Sequence, residues 1–172
     1  MNNIVLAGEV VSAPEFSHDA YGEKFYKIFM ATQRESGTKD ILCCVLPEIF
    51  VFVTNICDYE EDKNDVELDG FICKEPKYRR TPLGRQITDL LIASNREHFK
   101  SDYIPCIAWG RNAIRTSEFN VGTRVKVLGR LQSREYKKKI DDGTYEVRTA
   151  YELSAYMIDV VEESEETDES SN

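Results

Sequence analysis

Apolar and polar residues alternate with a period of two along much of this chain, the mark of strands with one buried and one exposed face. In the second half the pattern predicts strands over about 66–74, 85–96 and 102–109, a short helix over NAIRTSEF (112–119), and two further strands, TRVKVLGRLQSREY (123–136) and TYEVRTAYELSAYMI (144–158). Val125 and Val127 set the phase of the fourth strand, and Gly122 ends the connection before it. Between the last two strands KKKIDDG (137–143) is expected to be a loop, with Asp-Asp-Gly supplying hairpin-turn chemistry.

Three strands, a helix and two strands, in that order, make a five-stranded OB-fold barrel, in which the helix falls between the third and fourth strands. Period alone gives only an all-β chain with a small barrel; the order of elements narrows it. The first half carries the same pattern. Displaced by 62 residues, IVLAGEVVSAPEF (4–16) falls on VELDGFICKEPKY (66–78), and the match runs without a gap to Glu48 over Gly110, with nine identities in 45 pairs. The identities are Leu6/Leu68, Gly8/Gly70, Pro14/Pro76, Gly22/Gly84, Ala31/Ala93, Arg34/Arg96, Glu35/Glu97, Asp40/Asp102 and Cys44/Cys106. Because strands and turns coincide along with the identities, the match reads as an internal repeat. Only residues 49–65 separate the third strand of the first copy from the second copy, so the first copy lacks two strands. The expected organisation is a partial OB-like repeat over 1–57, an acidic linker over 58–65, an OB-fold domain over 66–158 and a disordered acidic tail over 159–172. Within the first copy, IFVFVTNIC (49–57) fits a short helix or one more strand equally well.

Charge changes the picture only when it is counted by segment. The net charge is −9, but residues 1–69 hold 5 Lys/Arg against 14 Asp/Glu, residues 70–158 hold 17 against 10, and residues 159–172 hold none against 7. A segment of +7 between segments of −9 and −7 fits a surface for a polyanion in the second copy. The five cysteines are odd in number and show no Cys-x-x-Cys spacing, which suits reduced thiols better than bridges or a metal site. Two histidines, no glycine-rich phosphate loop and no Gly-x-Ser-x-Gly or His-Glu-x-x-His leave little for an enzyme; no catalytic residue, metal or cofactor is expected. The start, MNNIVLAGEV, has neither the basic region nor the apolar stretch of a signal peptide, and no long apolar run predicts a membrane span, so a cytoplasmic, nucleoid-associated protein is expected.

At KYRRTPLGRQITDLLIASNR (77–96), SDYIPCIAWGRNA (101–113) and VGTRVKVLGRLQSREY (121–136) the chain resembles bacterial single-stranded DNA-binding proteins. The resemblance rests on three motifs in order: Tyr-x-x-Thr-Pro-x-Gly, an aromatic-Gly-basic step at the end of the third strand, and Gly-Arg-Leu-x-Ser-Arg-x-aromatic in the fourth. It covers about residues 66–158, and more distantly the first copy. It implies stacking of unpaired bases on Tyr103, Trp109 and Tyr136, with Phe99 or His98 near a fourth position. It also implies assembly into dimers or tetramers. In such proteins an acidic tip ending in Asp-x-Pro-Phe docks repair and replication enzymes; here the end is DESSN, so the charge is present without the apolar anchor.

The physics of such a site does not depend on the resemblance. A flat side chain stacks on any base, and cations follow the phosphates, so binding is strong and largely indifferent to sequence. Tyr103 and Trp109 are six residues apart, so on an unbroken strand they share a face. The candidate phosphate contacts are Lys77, Arg79, Arg80, Arg85, Arg96, Arg111, Arg130, Arg134, Lys137 and Lys138. Each residue also has a plainer reading: Trp109 as a core residue with its indole N–H satisfied, each cation as solvated surface. Tyr78, Tyr145, Tyr151 and Tyr156 read as packing residues. The first copy has Ile41 where the second has Tyr103, Pro47 for Trp109, and Glu15, Ser17, His18 and Glu23 for Lys77, Arg79, Arg80 and Arg85. Its strands survive without the binding chemistry, which suggests a structural or protein-interaction element. Two functions stay open: binding of single-stranded DNA, with single-stranded RNA not separated from it, or an OB-fold module for partners of the replication and recombination machinery.

Overall fold

The computed structural model describes residues 2–20, 23–45, 61–95, 101–140 and 143–161. The second half folds as β6 (Lys63–Ile72), β7 (Lys77–Arg80), β8 (Gln86–Asn95), β9 (Ser101–Trp109), α1 (Arg111–Thr116), β10 (Arg124–Lys139) and β11 (Tyr145–Val160). Strand β6 pairs with β10, β10 with β11, β11 with β9 in parallel, β9 with β8, and β8 returns to β6, which closes a five-stranded OB barrel.

Alternation fills the barrel. Val66, Leu68 and Ile72 from β6, Leu90 and Ile92 from β8, Cys106 and Ala108 from β9, Val125, Val127 and Leu131 from β10, and Leu153, Ala155 and Ile158 from β11 form one core. Gly70 continues the inward row of β6, and there the chains approach closely: a Cβ would lie 2.5 Å from Ala93 O and 2.7 Å from Ile92 Cγ2. Helix α1 is tied to β8, whose buried Thr88 donates its hydroxyl to Ala113 O at 2.7 Å. A bulge between Leu128 and Gly129 leaves Tyr156 unpaired, because Leu128 faces Met157 and Gly129 faces Ala155.

The first half forms β1 (Asn3–Ala7), β2 (Glu9–Val10), β3 (Glu15–Ala20), β4 (Glu23–Gln33) and β5 (Lys39–Val45). Strand β4 pairs with β2, β3 and β5. Except past a bulge between Phe16 and His18 in β3, the pair registers reproduce those of the second half at a displacement of 62. Glu9 faces Ala31 as Phe71 faces Ala93, Glu15 faces Lys27 as Lys77 faces Asp89, and Gln33 faces Lys39 as Asn95 faces Ser101. A Cβ on Gly8 would strike Ala31 O just as one on Gly70 would strike Ala93 O. Strand β1 leaves its own unit and pairs antiparallel with β6, Ile4 opposite Val66, adding an outer strand to the barrel sheet.

Four expectations are corrected. Lys63–Asp65 are strand, not acidic linker, because β1 supplies them with a partner. Strand β11 runs to Val160, two residues into the expected tail, since Val125 and Lys126 extend the ladder. Lys77–Arg80, left between the expected strands 66–74 and 85–96, form the short strand β7 against β8. Lys137–Lys139, expected in a loop, are strand: they pair with Tyr145–Val147 and extend β10 and β11 as a two-stranded ribbon closed at Ile140 and Thr144. The expectations for residues 49–57 and for most of the tail lie outside the described residues.

Candidate nucleic-acid interface

Strand β9 is unbroken from Ser101 to Trp109, so Tyr103 and Trp109 stand on the same side of it, opposite the inward Cys106 and Ala108. The register carries that outer side across the sheet. Ile107 is level with Ser154 on β11, Ser154 faces Arg130 on β10, and two-residue steps lead from there to Gln132, Arg134 and Tyr136. Tyr103, Trp109 and Tyr136 therefore share one face of the barrel, although they come from two strands with a third between them.

Trp109 has its indole N–H satisfied, as the plainer reading requires, yet the ring is not enclosed in the core. Its indole N–H donates to Ser154 Oγ at 3.0 Å, which fixes the ring on β11, and it is only half-buried. An open hollow of about 580 Å³ lies beside it, lined by Arg80, Gly84, Arg85, Gln86, Trp109 and Gly110. The β7–β8 hairpin builds the hollow's other wall. Gly84, at φ 78, adopts a conformation that side chains disfavour, and Thr81 closes the turn by accepting from Gly84 N at 2.8 Å. Tyr103 is 63% exposed and Tyr136 is 38% exposed. The Arg134 guanidinium lies 5.7 Å from the centre of the Tyr136 ring, so a base stacking there would meet an aromatic face and a cation together.

The candidate cations divide into two groups. Lys77, Arg80, Arg85, Arg111, Lys137 and Lys138 are exposed and make no ion pair with another described residue. The other three are engaged. Arg79 is bidentate to Asp89 at 2.6 and 3.0 Å, and that carboxylate raises the guanidinium's pKa further. Arg134 donates to the buried Glu152 at 3.1 Å. Arg130 donates to Asp40 at 2.7 Å, a partner 90 residues away, so it faces the first unit rather than open solvent. Arg79 and Asp89 are both well exposed, so that pair exchanges readily for a phosphate, whereas the buried Glu152 holds Arg134 in place with its guanidinium half exposed. Phe99 and Arg96 lie outside the described residues.

Of the four tyrosines expected to pack, only Tyr151 lies against the core. Tyr78 is exposed, Tyr145 is 63% exposed on the ribbon, and Tyr156 is 62% exposed at the bulge. The bulge interrupts the two-residue period, which is why the sequence placed Tyr156 on the wrong side. Among the described residues no group of His, Cys, Asp and Glu could hold a metal ion, and no helix is long and apolar enough to cross a membrane.

A phosphate-following role for the free arginines predicts how binding should respond to salt. Arg80→Ala and Arg85→Ala should each flatten the slope of log affinity against log salt by about 0.7, the value for one single-strand phosphate. Arg130→Met should leave the slope unchanged, since its guanidinium is spent on Asp40.

A closed OB barrel with three aromatics on one face, and with Arg80 and Arg85 beside Trp109, defines a class of surface on which unpaired bases can stack with little regard to sequence. A model of the single-strand binding protein family matches residues 63–161, and the chain belongs to that family. Single-stranded DNA-binding protein A of Bacillus subtilis (strain 168) is 34% identical over 83 residues, which are 44% of this chain and 48% of that protein. Single-stranded DNA-binding protein 1 of Staphylococcus aureus (strain COL) is also 34% identical over 83 residues, 44% of this chain and 50% of its own length. The chain thus spans about half the length of these curated relatives. Single-stranded DNA-binding protein B of Bacillus subtilis (strain 168) is 28% identical over 101 residues, 55% of this chain and 89% of that protein. Among solved structures, a deletion mutant of the single-stranded DNA binding protein from Thermus aquaticus superposes with a TM-score of 0.63 at 18% identity, over 98% of each chain. The likeness in fold thus includes the first unit, which the family match leaves out.

Proposed function

We propose that this chain binds single-stranded DNA with little sequence preference, stacking bases on Tyr103, Trp109 and Tyr136 and holding phosphates with Arg80, Arg85, Arg111, Lys77, Lys137 and Lys138. Arg79 joins them as its exposed pair with Asp89 opens, and Arg134 acts from its place beside Tyr136. The observation that carries the reading is Trp109, anchored through Ser154 with its ring beside a hollow lined by Arg80 and Arg85. The relatives' names and the +7 charge of residues 70–158 support it. On this reading the protein serves DNA replication, recombination or repair in the cytoplasm, at the nucleoid, as a homo-oligomer. Residues 66–158 are the binding domain and the first unit is a shortened barrel without binding residues. Phe99 is proposed as a further stacking residue and Arg96 as a further phosphate contact. Single-stranded RNA is a competing ligand, because stacking barely separates the two sugars.

The test is a titration with oligo-dT followed by Trp109 fluorescence at rising salt. Binding should quench the emission, weaken steeply with salt, and exceed the affinity for a duplex of equal length. Absence of quenching and of any mobility shift at low salt overturns the reading. Equal affinity for duplex reduces the face to a generic basic surface.

A further inference from the structure

We propose that the shortened first unit is a brace for the binding face, and that Asp40 is a positioning residue for Arg134 and Tyr136. The proposal rests on the single-strand reading above and adds to it a role for residues that touch no nucleic acid. Its starting point is the edge of β10. The ladder between β10 and β6 stops at Gly129 opposite Val66, while pairing with β11 continues to Lys139. Among the described residues no strand pairs with that edge of β10 from residue 130 onward, and an edge without a ladder leaves backbone groups to be satisfied.

First-unit and junction side chains take up that edge. Asn64 Oδ1 accepts from Leu131 N at 2.8 Å and Asn64 Nδ2 donates to Leu131 O at 2.8 Å, while the same amide reaches Thr32 Oγ1 of β4 at 3.2 Å. One turn of the pleat further on, Asp40 of β5 accepts from Ser133 N at 3.3 Å, and Ile41 N donates to Ser133 Oγ at 3.3 Å. Asp40 is only 1% exposed. Arg34 of its own unit donates to both of its oxygens, which already neutralises the carboxylate; Arg130 of β10 adds a second cation at 2.7 Å. One buried carboxylate thus takes charge-assisted hydrogen bonds from both units, which ties β10 to β5.

The hold is passed to the face. Arg130 Nη2 donates to Gln132 Oε1 at 3.4 Å, Gln132 Nε2 to Glu152 Oε1 at 2.7 Å, and Arg134 Nε to the same oxygen at 3.1 Å, with Tyr136 next along the strand. Beyond this point β10 and β11 run on as a two-stranded ribbon, and two strands alone are marginally stable in water. The brace at the ribbon's base therefore fixes the direction in which it leaves the barrel, and with it the offset of Tyr136 from Trp109.

The experiment uses the full chain and a labelled oligo-dT read by anisotropy. Asp40→Asn and, as a second variant less able to disrupt the first unit, Arg130→Met are measured alone and combined with Tyr136→Ala. Each should weaken binding by about 3- to 10-fold in the presence of Tyr136 and by less than about 2-fold in its absence, the signature of coupled residues. In the free protein, amide exchange of residues 134–139 should rise in both variants while that of β9 holds. Equal losses with and without Tyr136, or unchanged binding and exchange in Arg130→Met, would overturn the brace. A wild-type chain that leaves oligo-dT unbound instead overturns the single-strand reading and with it the role given to Tyr136, and it is recognised before any variant is made.

Discussion

Trp109→Ala should weaken binding to oligo-dT by about 5- to 150-fold, the loss expected when a single aromatic worth roughly 1–3 kcal/mol of base stacking is removed. The position justifies an effect toward the upper end. The indole is held by its own hydrogen bond to Ser154, so little ordering is left to be done when a base arrives, and Arg80 and Arg85 border the hollow beside it. Trp109→Phe keeps a flat ring but gives up the donor to Ser154, and it should recover most but not all of the loss. Because Trp109 is the chain's one tryptophan, these variants need a labelled oligonucleotide and anisotropy as the readout. Binding by Trp109→Ala within 2-fold of wild type would mean that the ring serves the sheet rather than the ligand.

Gly70→Val should be the most damaging substitution for the fold, costing about 3 kcal/mol or more and abolishing a cooperative unfolding transition if the barrel cannot close. Space rather than backbone conformation is the cause. The new Cβ would sit 2.5 Å from a main-chain oxygen of β8 and 3.1 Å from its carbonyl carbon, neither of which can move without parting β6 from β8. Gly84 is the useful contrast: nothing lies within 4 Å of a Cβ there, and only its positive φ resists substitution, so Gly84→Ala should cost about 1 kcal/mol. Urea unfolding of the two variants checks the difference. A Gly70→Val protein with a near-wild-type midpoint would show that the strands separate more easily than their packing indicates.

Both glycines stood out in the sequence as identities of the 62-residue repeat, though only the structure shows what Gly70 is for. Gly8 and Gly70, with Ala31 and Ala93, are identities of the 62-residue repeat, and they mark one close crossing built twice. The inward rows of β6, β8, β10 and β11 were legible because burial imposes the two-residue period that the eye can follow. Strand β7 was not: all four residues of Lys77–Arg80 are exposed, so no apolar alternation exists to reveal it. The ribbon arm Lys137–Lys139 hid for the same reason, and its register is set by β11 rather than by its own composition. Tyr103, Trp109 and Tyr136 could be nominated from spacing and motif, but that they share a face depends on the parallel pairing of β9 with β11, which no local pattern encodes. Arg130 shows the limit most clearly. Beside the lysines and arginines of its segment it looked like one more cation for phosphate, whereas its partner is a carboxylate 90 residues earlier in the chain.

The antiparallel pair of β1 and β6 sets equivalent segments of two like units side by side, Ile4 against Val66. Between separate chains such a contact would come apart on dilution. Within one chain it is a loop closure, governed by tether length and indifferent to how many molecules share the solution. Whatever larger assembly forms around it, this seam should persist at the lowest concentrations at which the protein can be observed.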